Sequence, residues 1–206
     1  MITTNDDHLA ETLRRLRDHG AAVSDSQRHL GPKPYLLADH PLAGYNQRMT
    51  DFQAALGNAQ MKRASQIVST RHHLASQLDA ELGQLDWLQV PQVPAGYVHG
   101  YQSYPCLFEP AEVKSAVSLR NGKMVEEVGV GRNQWMDQLH QLGISTRPAT
   151  HAVHMLTYYR EKYKLDPMDF PNAFAAHSCS ISLPLFHGMS QAEVEYMVEI
   201  VNRRRV

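Results

Sequence analysis

The sequence predicts an α/β protein: a small layer with a short sheet and helices on one face, preceded by one unusually long helix. From residue 86 onward the patterns run strand, helix, strand, helix, strand, helix, which is the order of a small α/β layer. Ahead of them a single helical periodicity lasts from Thr50 to about Leu82, and ~30 residues at 1.5 Å each give ~45 Å, longer than a small domain is wide. The composition permits a core, since the 206 residues are 43% hydrophobic and 20% charged with 12 Gly and 11 Pro. That balance belongs to a globular chain rather than a linker or a disordered tail.

The elements follow in order. Asn5 is a good N-cap, Asp6 and Asp7 place negative charge in the first turn, and Leu9, Leu13 and Leu16 form a one-sided stripe ending at Gly20. Residues 21–43 hold no sustained period and read as a long irregular connection, of a length that is often functional. Thr50 and Gln53 pair as a capping box opening the long helix, with Phe52, Ala55, Leu56 and Ala59 on one stripe. Ile67, Leu74, Leu78 and Leu82 continue it, and Gly83 is its stop. Pro91 and Pro94 then lead to HGYQSYPCLFE, a strand weakened at Pro105.

Residues 110–131 form a charged, glycine-containing insert, read as a hairpin around Asn121–Gly122. A helix with Trp135, Leu139 and Leu142 ends at Gly143, and Ile144–Arg147 is a short strand. In CSISLPLF, Cys179, Ile181 and Leu183 alternate with serines as in a half-buried strand. Ser190 and Glu193 cap the closing helix, whose stripe is Val194, Met197, Val198 and Val201. Arg203–Arg205 closes it, where cations suit the negative end of the helix dipole.

Charge and cysteine content narrow the function. Twenty Lys+Arg against 21 Asp+Glu give a formal net charge of −1, so no basic field argues for nucleic acid or an anionic membrane surface. No run approaches the ~18 apolar residues of a membrane span, and the N-terminus has no apolar signal core. Cys106 and Cys179 fit no disulfide framework or metal spacing, so free thiols in a reducing cytoplasm are expected.

Spacing alone yields no active site, for there is no G-x-S-x-G, P-loop, G-x-G-x-x-G or C-x-x-C. His151 and His154 form an H-x-x-H pair, but two ligands without a third do not define a zinc site, and metal binding is not expected. His72 and His73 read as a solvated face of the long helix. The concentrated chemistry is GYNQR, Gly44–Arg48, just before a helix start. Backbone N–H groups there, with the Asn46 amide and Arg48, make either a phosphate or carboxylate seat or an ordinary structural turn.

Residues 44–60, GYNQRMTDFQAALGNAQ, resemble the DegT/StrS-type pyridoxal-phosphate-dependent sugar aminotransferases, a fold-type-I group. There the stretch reads approximately GYN-aromatic-RMTD-x-QAALG-x-AQ. TTNDDHLAETLRRLRDHG (3–20), HGYQSY (99–104), GISTRP (143–148) and SISLPLFHGMSQAEVEYMVEIV (180–201) support the resemblance, which covers nearly the whole sequence. Only the 110–131 insert looks foreign to the pattern.

The resemblance implies the C-terminal part of such an enzyme. Residues 1–49 would be the remnant of the large cofactor domain, 50–85 the long connecting helix, and 86–206 the small C-terminal α/β domain. The family's Schiff-base lysine lies upstream of the TTNDD segment, so Met1 reads as an internal methionine. None of Lys33, Lys62, Lys114, Lys123, Lys162 and Lys164 has a matching context. That lysine both holds the cofactor and moves the substrate proton, so no catalytic residue is expected in this chain and the chain alone should be inactive.

Residue by residue, the resemblance implies that Asn46 reaches across a homodimer interface to the phosphate of the neighbouring subunit's pyridoxal 5'-phosphate. Arg48 would assist there or in the substrate pocket, or be a structural ion-pair partner. Arg147, His151 and His154 would line the pocket for a nucleotide-linked keto-sugar, with glutamate as amino donor. Gln47 and Gln102 depart from the family's aromatic and histidine at their positions. The alternatives are a non-catalytic subunit complementing a lysine-bearing partner chain, or a degenerate product whose Leu9, Leu13 and Leu16 stripe lacks a cover.

Overall fold

A computed structural model describes residues 2–22 and 39–204 of the protein. The chain divides into two units, Met1–Lys62 and Arg63–Val206, and the division falls within a helix. Of the irregular connection expected over 21–43, residues 23–38 lie outside the described residues, as do Met1, Lys33 and Arg205.

In the first unit, α1 spans Asp7–Leu16. Its N-cap is Asp6 rather than the expected Asn5: the Asp6 carboxylate accepts the Leu9 N–H at 2.9 Å. The adjacent residues compete for one role, and the charged acceptor also opposes the positive end of the helix dipole. No residue of α1 is buried, and Leu9 is exposed.

The long helix, α2, spans Asp51–Leu82, 32 residues, or about 48 Å at the standard rise. The Thr50–Gln53 box forms as expected: the Thr50 N–H donates to Gln53 Oε1 at 3.0 Å and the Gln53 N–H to Thr50 Oγ1 at 3.3 Å. Burial divides the helix. Phe52, Leu56 and Met61 are exposed, whereas Leu74, Ala75, Leu78 and Leu82 are buried. The Gly83 N–H closes the last turn on the Asp79 carbonyl at 3.0 Å. Among the described residues no helix is long and apolar enough to cross a membrane.

The second unit holds a three-stranded antiparallel sheet in the order β1 (Leu88–Gln89), β2 (Tyr104–Phe108), β3 (Ser180–Leu183). Tyr104 pairs with Leu183 and Cys106 with Ile181, so side chains 104, 106, 108, 181 and 183 share one face. All five are 2% exposed or less. The remaining helices of this unit are α3 (Pro110–Ser118), α4 (Gly122–Gln141), α5 (Thr157–Tyr163), α6 (Pro171–Cys179) and α7 (Gln191–Asn202). Side chains of α2, α3, α4, α6 and α7 join that strand face in a single core.

Pro105 sits within the central strand, and the register explains why it is tolerated. Ser182, its partner in β3, spends both backbone groups on Arg147 (2.7 and 3.4 Å). Pro105 therefore occupies a pair that exchanges no hydrogen bonds, and its backbone nitrogen points toward the β1 side. Continuing the Leu88↔Phe108 and Gln89↔Leu107 register would put Pro91 opposite Pro105. Neither residue can donate, so β1 stops after two residues.

Two expectations are corrected in this unit. Asn121–Gly122 is no hairpin turn: Asn121 caps α4, its side chain accepting the Met124 N–H at 3.1 Å. Val113, Ala116, Val125 and Val128 of the supposed insert are buried in the core, so the helical spacing of apolar residues prevailed over the turn preference of the Asn–Gly pair. The strand expected over Ile144–Arg147 contracts to a single bridge, Arg147↔Ser182. The Ile144 N–H is spent closing α4 on the Leu139 carbonyl, and Pro148 has no N–H to continue a ladder. On the helix face read as solvated, His73 is exposed, while His72 is half-buried with its Nε2 2.7 Å from the His99 carbonyl.

The closing helix forms as expected, with Ser190 and Glu193 in a capping box and Val194, Met197, Val198 and Val201 buried. Arg203 caps it and pairs with Glu199. Arg204 is more than a helix-end cation. Its guanidinium lies 4.3 Å from the ring centres of both Trp87 and Phe108, and it pairs with Glu109 at 3.0 Å. Trp135 completes this aromatic cluster, 4.9 Å from Trp87. The aromatic faces offset the loss of water around the cation.

Leu78→Ala should lower the unfolding free energy of the 63–206 unit by about 3 kcal/mol in chemical denaturation. Leu119→Ala, at a position 69% exposed, should change it by less than about 0.5 kcal/mol.

Candidate functional site

Asn46 and Arg48 lie in the first unit on a turn fastened to the end of α1. The Tyr45 N–H donates to the Leu16 carbonyl at 2.7 Å, the His19 N–H to Tyr45 at 2.9 Å and the Gln47 N–H to Arg17 at 2.9 Å. This crossing needs glycine twice. A Cβ on Gly44 would lie 2.1 Å from the Gly20 nitrogen, and one on Gly20 would lie 1.8 Å from the Leu42 carbonyl oxygen. Gly20 also adopts φ +78°, a left-handed value that side chains penalise. Gly44 of the GYN stretch is therefore first a packing requirement.

Above that crossing, Arg48 donates through Nε to Asn46 Oδ1 at 3.3 Å and pairs with Asp18 at 3.2 Å. The Asn46 carbonyl oxygen is thereby turned toward the guanidinium. Its amide NH2 remains a donor for an anion. The start of α2 contributes less than the sequence suggested, because the capping box takes the Thr50 and Gln53 N–H groups and Asp51 puts a carboxylate in the first turn. A negative side chain there opposes an incoming anion. The donors suited to a phosphate are the Asn46 amide and the Arg48 guanidinium.

Arg147, His151 and His154 lie in the second unit. Arg147 is exposed and fixed through its backbone to Ser182. His151 and His154 line a cleft of about 420 Å³, with Val153, Tyr159, Leu165 and Phe170 among its other walls. His154 is buried, its Nε2 is 3.0 Å from the Pro167 carbonyl, and its ring lies 5.1 Å from Phe170. It serves as a wall of the cleft, while His151 stays exposed at the rim.

Two residues overlooked in the sequence reading lie beside this cleft. His177 of α6 has its ring centre 5.9 Å from that of His151, and its Nδ1 accepts the Ala152 N–H at 3.3 Å. Burial first, then the charges of His151, Arg132 and His154, hold its pKa below the ordinary histidine value. Arg132 of α4 is buried and donates to the Ser180 carbonyl at 2.8 Å, while its Nε has no partner. Burial pushes its pKa down. Arg132 gave no signal in the sequence; its helix approaches α6 closely at Gly129, where a Cβ would lie 3.2 Å from the Ser178 carbonyl oxygen. His177 stood in no motif.

Other reactive groups are set aside by their surroundings. Cys179 is buried with its thiol pushed up to about 11, and burial also raises the Cys106 thiol. Lys62, Lys114, Lys123, Lys162 and Lys164 are all exposed. Among the described residues no group of three His, Cys, Asp or Glu side chains could hold a metal ion.

The model of the DegT/DnrJ/EryC1/StrS aminotransferase family matches residues 1–202, running through the 110–131 segment that looked foreign. The chain is similar to the spore coat polysaccharide biosynthesis protein SpsC of Bacillus subtilis, 29% identical over 98% of this chain and 48% of that protein. It is 28% identical to the GDP-perosamine synthase of Caulobacter vibrioides, over 98% of this chain and 47% of that protein. In structure it resembles the putative sugar aminotransferase Spr1654 from Streptococcus pneumoniae in its PMP form. The TM-score is 0.73 at 21% identity, covering 95% of this chain and 44% of that one. The chain spans about half the length of the curated relatives it matches.

Gly44→Ala should loosen the turn that carries Asn46, so the Tyr45 and His19 amides should exchange at least tenfold faster than in the parent chain, since the strain exceeds ~1.4 kcal/mol. Unchanged exchange would contradict the packing argument. Arg132→Met should move the His177 pKa upward, toward but not up to the ordinary value, because burial remains; imidazole NMR shifts across pH measure this directly.

Proposed function

Because the chain belongs to the DegT/DnrJ/EryC1/StrS aminotransferase family, we propose that it is the C-terminal part of a pyridoxal-phosphate-dependent enzyme. Its reaction would exchange the keto group of a nucleotide-linked sugar for an amino group, with glutamate as donor. The family match across residues 1–202 carries this reading. On it, residues 1–49 belong to the large cofactor domain, 50–85 form the connecting helix, and 86–206 form the small domain.

The chain's own residues fit one side of the cofactor. The Asn46 amide, oriented by Arg48, would donate to the phosphate of a cofactor held by a second chain, with Arg48 adding charge. Pyridoxal phosphate supplies an electron sink for the carbon bearing the amino group. The lysine that anchors it is not among the residues this chain contributes. Such a lysine must be desolvated or set beside another cation to be nucleophilic, and the described lysines are exposed. Arg147, with His151 and His154 at the cleft, would contact the nucleotide sugar, for a guanidinium after a sheet edge suits a diphosphate.

A lysine-bearing partner chain, or the lysine-bearing part of the complete enzyme in its homodimer, would then complete the site. Met49, Phe52 and Leu56 are 63%, 81% and 56% exposed, large apolar side chains of the kind a partner covers. The free thiols of Cys106 and Cys179 are in keeping with a reducing cytoplasm.

Incubation with one equivalent of pyridoxal phosphate followed by borohydride should label no lysine of the chain alone selectively, the exposed lysines reacting weakly and to similar extents by mass spectrometry. One lysine labelled selectively would overturn the assignment of the anchoring lysine to residues outside this sequence. Mixed with a lysine-bearing family subunit, the chain should co-elute and retain cofactor. Asn46→Ala should weaken that retention at least ~10-fold, the scale of one hydrogen bond to a charged group. Absence of any stable complex would contradict the partner reading.

A further inference from the structure

Residues 147–154, of which 151–154 line the cleft, have little regular structure and are tied to residues 177–182 by a row of hydrogen bonds. Arg147 exchanges two with the Ser182 backbone, the Ala149 N–H donates to Ser180 Oγ at 3.2 Å, and the Ala152 N–H donates to His177 Nδ1 at 3.3 Å. Backbone carbonyls and a hydroxyl accept at any ordinary pH. An imidazole nitrogen accepts only while it carries no proton.

We propose that neutral His177 is a positioning residue that latches the cleft wall at Ala152, and that proton uptake by its Nδ1 releases that wall. Ala152, flanked by His151 and Val153, lines the cleft, and two residues on is His154. Losing the acceptor therefore frees the backbone between the histidine at the rim and the histidine in the wall. The latch is a property of the fold and holds whichever ligand the cleft takes, so it goes beyond the proposed function and does not rest on it.

The groups around His177 bias it toward the neutral form. His151 and His154 act on it from the cleft wall and Arg132 from α4, all raising the cost of a second positive charge. The acidic residues just before α6 are otherwise engaged: Asp166 accepts the Met168 N–H at 2.8 Å and Asp169 accepts the Asp166 N–H at 2.8 Å. With its folded pKa below the unfolded value, His177 contributes stability that is complete above the ordinary histidine pKa. That contribution is lost as pH falls through the folded one. The acceptor disappears over the same window.

NMR on the full chain tests this with three readouts: the His177 imidazole shifts, the Ala152 amide shift, and the Ala152 protection factor, which corrects for the pH dependence of intrinsic exchange. The parent chain should show the Ala152 amide following the His177 titration, with protection falling about fivefold or more below the midpoint, the scale of one ordinary hydrogen bond. His177→Asn, whose Oδ1 stands where Nδ1 stood and does not titrate, should keep Ala152 protected and make its shift flat with pH. His177→Leu should lose the protection at every pH. An Ala152 amide indifferent to the His177 titration in the parent chain would overturn the latch. So would His177→Asn retaining the full pH response, which would trace it to His151 or His154.

Discussion

The cleft depends on an edge. Residues 147–154 make one bridge and a short 3-10 turn, and nothing in their own sequence fixes their path. Their path comes from β3 and the helix before it, whose residues 182, 180 and 177 present acceptors to Arg147, Ala149 and Ala152 in turn. That edge is fixed by the pairing of β3 with β2, which buries Ile181 and Leu183 against Tyr104 and Cys106. A slip of one residue would turn those apolar side chains off the core and carry the row of acceptors with them. Core burial and cleft geometry are one constraint seen from two sides of a strand.

Where local chemistry decided an element, the sequence was enough to read it. The capping boxes at Thr50 and Ser190 and the stripe of α7 are short-range patterns, and they stand in the structure as the residues imply. Elements with competing local rules were misread. Asn121–Gly122 suits both a hairpin and a helix start, and only the buried partners of Val113, Ala116, Val125 and Val128 decide between them. Ile144–Arg147 carries a strand's residue types, but its backbone groups were already committed to α4 and Ser182.

The site was legible to a different depth on each side. Asn46 stood out because glycine, asparagine and arginine fall together before a capping box, and the structure adds that Gly44 is demanded by the backbone crossing at Gly20. His177 and Arg132 belong to separate helices 45 residues apart in sequence. Their relation to the cleft exists only once α4 and α6 have packed. Arg204 is a similar case: a run of arginines at a chain end looks like helix-end charge, and its aromatic surroundings come from residues 87, 108 and 135.

The proline pair at 91 and 105 does more than shorten a strand. Beyond Gln89, β2 presents an edge that its neighbour does not follow, and an unpaired edge is the usual template on which an unrelated chain adds a strand and aggregation begins. At the position where such a strand would look for its next donor, it meets a pyrrolidine ring. The residue that costs the sheet a longer β1 also leaves the central strand a position at which an added strand finds no donor, the device by which proline at a strand edge discourages recruitment.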